Sequence, residues 1–177
     1  MARLPYANPD TEKTRPLANR IISERGSVLN LYRMLLHSVP LAEGWLSYLT
    51  AVRQRLSLAG ALRELVIMRV AVLNGASYEA EQHAPIARQE GVSQAQLDAL
   101  SRWESSDAFT PLQRAVLALT DAMTRDVHVT DAVFDAVREH LSEQETVELV
   151  ATIAAYNMVS RFLEALAIRS DDPVDAR

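Results

Sequence analysis

The sequence predicts an all-α protein, on three observations. Only five of its 177 residues are glycine. Apolar residues recur every three or four positions along most of the chain, the period of a helix with one buried face. Ser, Thr or Pro stands at the start of most of these runs, where a helix needs a cap or tolerates a missing N–H. No stretch alternates apolar and polar residues in the manner of a strand.

The elements follow in order. Residues 1–12 carry Pro5, Asn8 and Pro9 and read as an extended arm, one whose prolines suit a strap around a neighbouring subunit. Pro16 opens a short helix that runs to about Arg25 and is broken by Gly26-Ser27. Ser27 is the expected cap of "VLNLYRMLLH", with Val28, Leu31, Leu35 and Leu36 on one face. Pro40 opens "LAEGWLSYLTAVRQRL", whose buried stripe is Leu41, Trp45, Leu49 and Val52. The helix expected over residues 59–74 differs from the rest. Its "LVIMRVAVL" is apolar on every side except Arg69, which marks a central helix or one covered by another subunit.

Asn74-Gly75 ends that helix, and the next is expected over residues 77–90. Pro85 predicts a kink or break just after His83, because it removes the bond to the Glu81 carbonyl. Ser93 and Gln96 form a capping box for a short helix through Leu100, and "WESSDAFTP" reads as a loop. Thr110-Pro111 opens "LQRAVLALTDAMT", and Thr130 is placed to cap "DAVFDAVREH". Ser142 and Glu145 form a second capping box, opening a long helix to about Ile168. The count is eight or nine helices.

Composition narrows the function classes. The chain is 49% hydrophobic, enough for a sizeable core, with no apolar run of the length a membrane span needs. Its N-terminal stretch lacks the apolar core of a signal peptide, so a cytoplasmic protein is expected. A formal charge of −5 and scattered arginines argue against a nucleic-acid partner. With no cysteine the chain has no disulfide, thiolate metal site or thiol nucleophile. No two histidines have ligand spacing and no HExxH occurs, so a zinc or similar metal site is not expected.

Six polar positions interrupt the apolar pattern. Glu79 and His83 stand four apart, about 6 Å at Cβ on a regular helix. A carboxylate there orients the imidazole and raises its pKa, making a general acid that works near neutrality, or else a plain surface ion pair. Glu64 near the start of the apolar helix is either a second acid–base group or a glutamate favoured by the helix dipole. Arg69 is either paired with a carboxylate or available to clamp a substrate anion. Asn157 and Arg161 stand four apart on the last helix as candidate substrate contacts or structural bonds.

The stretch "LRELVIMRVAVLNGASYEAEQHAPIARQEGVSQAQLDAL", with the later "YNMVSRFLEAL", resembles the carboxymuconolactone decarboxylase family, which includes the AhpD-like alkylhydroperoxidases. The likeness spans residues 41–166. It implies an AhpD-like helical bundle over residues 41–168, an N-terminal arm with leading helices over 1–40, and a polar tail over 169–177. The AhpD-like motif is a glutamate, a C-x-x-C twelve positions on, and a histidine four after the second cysteine. Glu64 and His83 take the glutamate and histidine positions, while Ala76 and Glu79 replace the cysteines. Dithiol peroxide reduction therefore has no sulfur to use here. The decarboxylase branch implies a cofactor-free lyase acting on a small carboxylated lactone or aromatic-derived acid, assembled as a trimer or hexamer. In that reading His83 donates the proton and Glu64 is a second relay group, while residue chemistry alone, and not the family motif, makes Glu79 the orienting partner of His83 and Arg69 an anion clamp. Arg69, with Asn157 and Arg161, is assigned to substrate binding. The competing expectation is an oligomeric binding or scaffold protein that keeps the fold without the chemistry.

Overall fold

The computed structural model describes residues 1–173. Of the polar tail expected over 169–177, residues 174–177 lie outside the described residues. The described residues form nine α-helices and one 3-10 helix, with no strand. They fall into two compact units, Leu56–Arg161 and a unit made of Met1–Arg55 with the chain from Phe162 onward.

The second of these begins with the arm, which is pinned to its own chain. The Arg3 amide donates to the Leu166 carbonyl at 2.9 Å and Tyr6 Oη donates to Asp172 at 2.8 Å. Helix α1 (Arg15–Arg25) carries Pro16 in its first turn and ends on Gly26, whose φ of 83° is the left-handed cap that glycine adopts without strain. Helix α2 (Asn30–Leu35) starts later than expected. Its cap position is Leu29, and Ser27 lies outside the helix. Helix α3 (Val39–Gln54) buries Trp45, Leu49 and Val52, with Trp45 tilted against Phe162 at 5.1 Å. Leu41 does not join that stripe. It is 50% exposed, and Ala42 and Leu46 are buried in its place.

The Leu56–Arg161 unit is built around α4 (Gly60–Asn74), in which every residue from Leu62 to Ala71 is buried. That explains the missing wet face: α4 packs against α5 (Ser77–Gln89), α7 (Pro111–Arg125) and the 3-10 helix Leu100–Ser105. Leu65, Met68, Ala87, Trp103, Phe109 and Leu117 meet in one hydrophobic cluster. Helix α5 runs through Pro85 as one helix, so of the expected kink or break the break does not occur. Pro85 is exposed, so the Glu81 carbonyl opposite its ring faces the solvent side of the helix. The segment read as a loop from Trp103 begins inside the 3-10 helix, which buries Leu100 and Trp103.

The capping signals largely hold. Ser93 with Gln96 and Thr110 with Gln113 form complete capping boxes at α6 (Gln94–Ala99) and α7. Ser142 Oγ accepts from the Glu145 amide, and the Ser142 amide donates back to the Glu145 carboxylate, ahead of α9 (Glu143–Leu166). Thr130 precedes α8 (Asp131–Arg138), yet its side chain makes no cap bond. Helix α9 is long and apolar enough to cross a membrane, but half of its apolar window is buried inside the protein, as in a core helix.

Candidate functional site

The site candidates in the Leu56–Arg161 unit lie on α4, α5 and α9. Glu64 sits in the second turn of α4 and is 1% exposed. Its Oε2 lies 2.7 Å from Nδ1 of His83 on α5. An ionised carboxylate can only accept, so Nδ1 carries the hydrogen and Nε2 is left for other work. Arg63 Nε donates to Glu64 Oε1 at 3.3 Å, and Arg63 Nη2 reaches Glu90 at 3.1 Å. Burial pushes the Glu64 carboxyl up, but the bond and charge of His83 and the charge and bond of Arg63 outweigh it and hold it below the usual glutamate value.

On its other side His83 meets Tyr156 of α9. The phenol oxygen is 3.3 Å from Nε2, and the two rings stand edge to face at 5.1 Å and 89°. Glu64, His83 and Tyr156 thus form a buried carboxylate–imidazole–phenol array, one residue from each of three helices.

This corrects the expected role of Glu79. The orienting partner of His83 is Glu64, from a different helix, and Glu79 turns to α9. There Ser160 Oγ donates to the Tyr156 carbonyl oxygen at 2.8 Å and is hydrogen-bonded to Glu79 Oε2. Helical spacing put Glu79 and His83 on one side of α5, but α4 supplies the closer carboxylate. Burial, opposed by the Ser160 bond, pushes the Glu79 carboxyl up to about 8. It is uncharged near neutrality, whereas Glu64 is ionised.

The three residues assigned to substrate binding have structural partners. Arg69 is 1% exposed and grips Asp121 with two bonds of 2.6 Å, from Nε and Nη2. Its Nη1 donates to the Leu100 carbonyl at 2.6 Å. All three nitrogens serve the protein, so an anion clamp at Arg69 is not what the geometry provides. Trp103 and Arg125 complete the shell of Asp121 at 3.2 and 3.3 Å. Asn157 donates to Thr124 Oγ1 at 2.9 Å and to the Ile153 carbonyl, and accepts from Asn74 and from Arg161. Its amide is saturated, and Arg161 is its partner at 2.6 Å.

Tyr156 and Ser160 are the residues that sequence reasoning missed. They stand four apart on α9, one position before the Asn157–Arg161 pair. One residue is about 100° around a helix, so the two pairs look at different neighbours. The available signal was Ser160 itself, a polar residue with 0% exposure in an apolar helix.

Comparison with known proteins agrees with this fold. The model of the carboxymuconolactone decarboxylase family matches residues 40–122. An uncharacterized protein of Bacillus subtilis (strain 168), YdfG, is 31% identical over 110 residues, covering 61% of this chain and 75% of that one. The structure superposes on the alkylhydroperoxidase AhpD core of a peroxidase-related protein from Ralstonia eutropha JMP134 with a TM-score of 0.82, at 21% identity, covering 97% and 93% of the two chains. A variant of the debrominase Bmp8 in complex with 2,3,4-tribromopyrrole gives a TM-score of 0.78 at 19% identity, covering 97% and 95%. These two likenesses speak for the AhpD-like helical fold and leave the reaction open. On the family match and the Bacillus relative together, this chain belongs to the carboxymuconolactone decarboxylase family.

Proposed function

We propose that the chain is a cofactor-free acid–base lyase that decarboxylates a small carboxylated lactone or aromatic-derived acid, with His83 as the proton donor. The observation that supports this most is the buried Glu64–His83–Tyr156 array. In the reaction the bond to the carboxylate carbon breaks and CO₂ leaves. The electron pair passes into the conjugated lactone carbonyl, giving an enolate-like anion. His83 delivers a proton to carbon from Nε2 and regains one from solvent. Glu64 keeps the imidazole oriented through Nδ1 and stabilises it while charged, and Tyr156 holds Nε2 in line. Thiol redox chemistry is not part of the reading, because positions 76 and 79 are Ala and Glu and the chain has no cysteine. A homo-oligomer in the cytoplasm, trimer or hexamer, belongs to the same proposal.

The test is an assay of the purified chain with γ-carboxymuconolactone and related lactone acids, following loss of the lactone acid and release of CO₂. His83→Ala is expected to lower kcat about 100-fold or more, the usual worth of a positioned general acid. If none of these compounds turns over and His83→Ala changes nothing measurable, the lyase reading fails and the chain is a binding or scaffold protein of the same fold.

A further inference from the structure

Glu64 is bonded on both oxygens, and its second partner is itself held in place. Arg63 precedes Glu64 on α4, is buried, and donates from Nε to Glu64 Oε1 at 3.3 Å. Its Nη2 donates at 3.1 Å to Glu90, the residue that follows α5. Glu90 in turn lies over Gly60, the first residue of α4, where a Cβ would overlap the Glu90 carboxylate. The φ of Gly60 is not positive, so the backbone there does not ask for glycine. The carboxylate does, because a side chain at position 60 would take its space. Gly60, Glu90, Arg63 and Glu64 thus make a chain of contacts that ends on Nδ1 of His83.

The two states of His83 say what such a chain can do. When Nε2 gives up its proton the imidazole becomes neutral, and Glu64 loses the positive charge it faced. A buried carboxylate left with neutral partners is driven toward its protonated form, in which it no longer holds the hydrogen on Nδ1. Arg63 carries a permanent charge, so Glu64 keeps a counter-charge in both states. The same cation opposes the charged form of the imidazole behind it, which eases release of the proton.

We infer that Arg63 is a positioning residue for His83, acting through Glu64, and that Glu90 seated on Gly60 holds it there. Arg63 fixes the carboxylate as an anion and favours proton release from the imidazole. Its value in catalysis rests on the lyase reading above, whereas its hold on His83 rests on these contacts. Tyr156 of α9 also faces His83, and Glu79 stands one turn back on α5 with its carboxyl against Ser160. Farther along α4, Arg69 is paired with Asp121 of α7.

The experiment is NMR titration of the full chain, following the ring Cε1–H signals of its four histidines. The signal missing from His83→Ala is that of His83. Glu64 and His83 titrate as a coupled pair, so the readout is the upper of the pair's two steps. Arg63→Met fills similar space without a charge, and should raise that step by about half a pH unit or more. Gly60→Ala leaves every charge in the chain and pushes Glu90 aside. Arg63 then loses its second carboxylate and spends less time on Glu64, so the step should rise by a smaller amount. Glu90 is partly exposed and about two turns along α5 from His83, so displacing its own charge counts for less. Added to Arg63→Met, Gly60→Ala should cause no further rise.

The role of Arg63 is overturned by an upper step that stays in place or falls in Arg63→Met, or by a His83 signal that does not titrate between about pH 4 and about pH 10. A wild-type step in Gly60→Ala, or a further rise in the double variant, overturns the seat formed by Glu90. The shift in Arg63→Met with no turnover of any lactone acid condemns the lyase reading alone. Turnover with no such shift condemns the role of Arg63 alone.

Discussion

Glu64 on α4 and Glu79 on α5 are the same side chain at nearly the same depth, 1% and 2% exposed, and they end in opposite states. Glu64 has His83 on one oxygen and Arg63 on the other, and remains an anion. Glu79 has one hydroxyl on one oxygen and nothing on the other, and holds a proton up to about 8. Depth alone therefore does not set the charge of a buried carboxyl. The count of donors around it decides whether desolvation or hydrogen bonding wins. The same lesson divides the six residues singled out in the sequence. Arg69 and Asn157 are matched to the protein and have little left for a ligand, whereas Glu79 has one oxygen that no protein atom meets.

The largest effect expected from this contrast comes from stripping partners from a fully bonded charge. Asp121→Ala leaves the Arg69 guanidinium buried with only the Leu100 carbonyl. Breaking a buried pair in this way costs about 3–5 kcal/mol. Denaturant unfolding of the variant measures it. A loss below about 1 kcal/mol would mean that Arg69 finds another partner or water, and that bonding is less decisive in this core than the two glutamates suggest. Replacing both residues together by Met and Leu should recover much of the loss, because no charge is then stranded.

Next in size is the pH dependence of stability, where the two glutamates pull in opposite directions. Glu79 has a folded pKa above its unfolded value. Its contribution is complete below the ordinary glutamate range and is lost as pH rises through about 8. Glu64 has a folded pKa below its unfolded value, so its contribution is present above that range and lost as pH falls through the lowered value. Unfolding free energies across pH should show both limbs, the one assigned to Glu79 falling from the ordinary glutamate range up to about 8 with a slope of up to about 1.4 kcal/mol per unit. Glu79→Gln should flatten that limb and leave the more acid one in place. A limb up to about 8 that survives the substitution would assign it to another group and break the comparison.

The sequence carried most of the fold and part of the site, for identifiable reasons. Caps are local chemistry, so Ser93, Thr110 and Ser142 marked their helices correctly, and the all-apolar α4 proved central. Ser27 misled because α2 begins at Asn30, where tertiary contacts set the start: the Asn30 side chain donates to the Arg169 carbonyl at 2.9 Å. At the site, Glu64 and His83 were recognised through their motif spacing, but their mutual bond joins residues 19 apart and no local pattern encodes it. The i, i+4 rule found polar pairs on α5 and α9, yet it is silent about which helix each pair faces. Spacing therefore pairs Glu79 with His83 and singles out Asn157–Arg161, whereas the fold sets Glu79 against Ser160 and His83 against Tyr156.

The smallest effect lies away from both glutamates. Val127, in the link between α7 and α8, has φ of 67°, a left-handed conformation that is strained for a β-branched residue. At 76% exposure it has little packing to offset that strain, about 1–2 kcal/mol. Val127→Gly removes the steric clash but adds freedom to the unfolded chain, worth roughly 0.5–1 kcal/mol in the other direction. Val127→Asn tolerates the same backbone with less of that entropy loss. Asn is therefore expected to stabilise the protein by about 1 kcal/mol, and Gly by somewhat less, in thermal or denaturant unfolding. Because no titrating group is involved, the gain should be the same at acid and alkaline pH. A uniform shift of this kind would show that the two pH limbs belong to the buried carboxyls and not to overall stability. A gain that varied with pH would show that the α7–α8 link is coupled to the site.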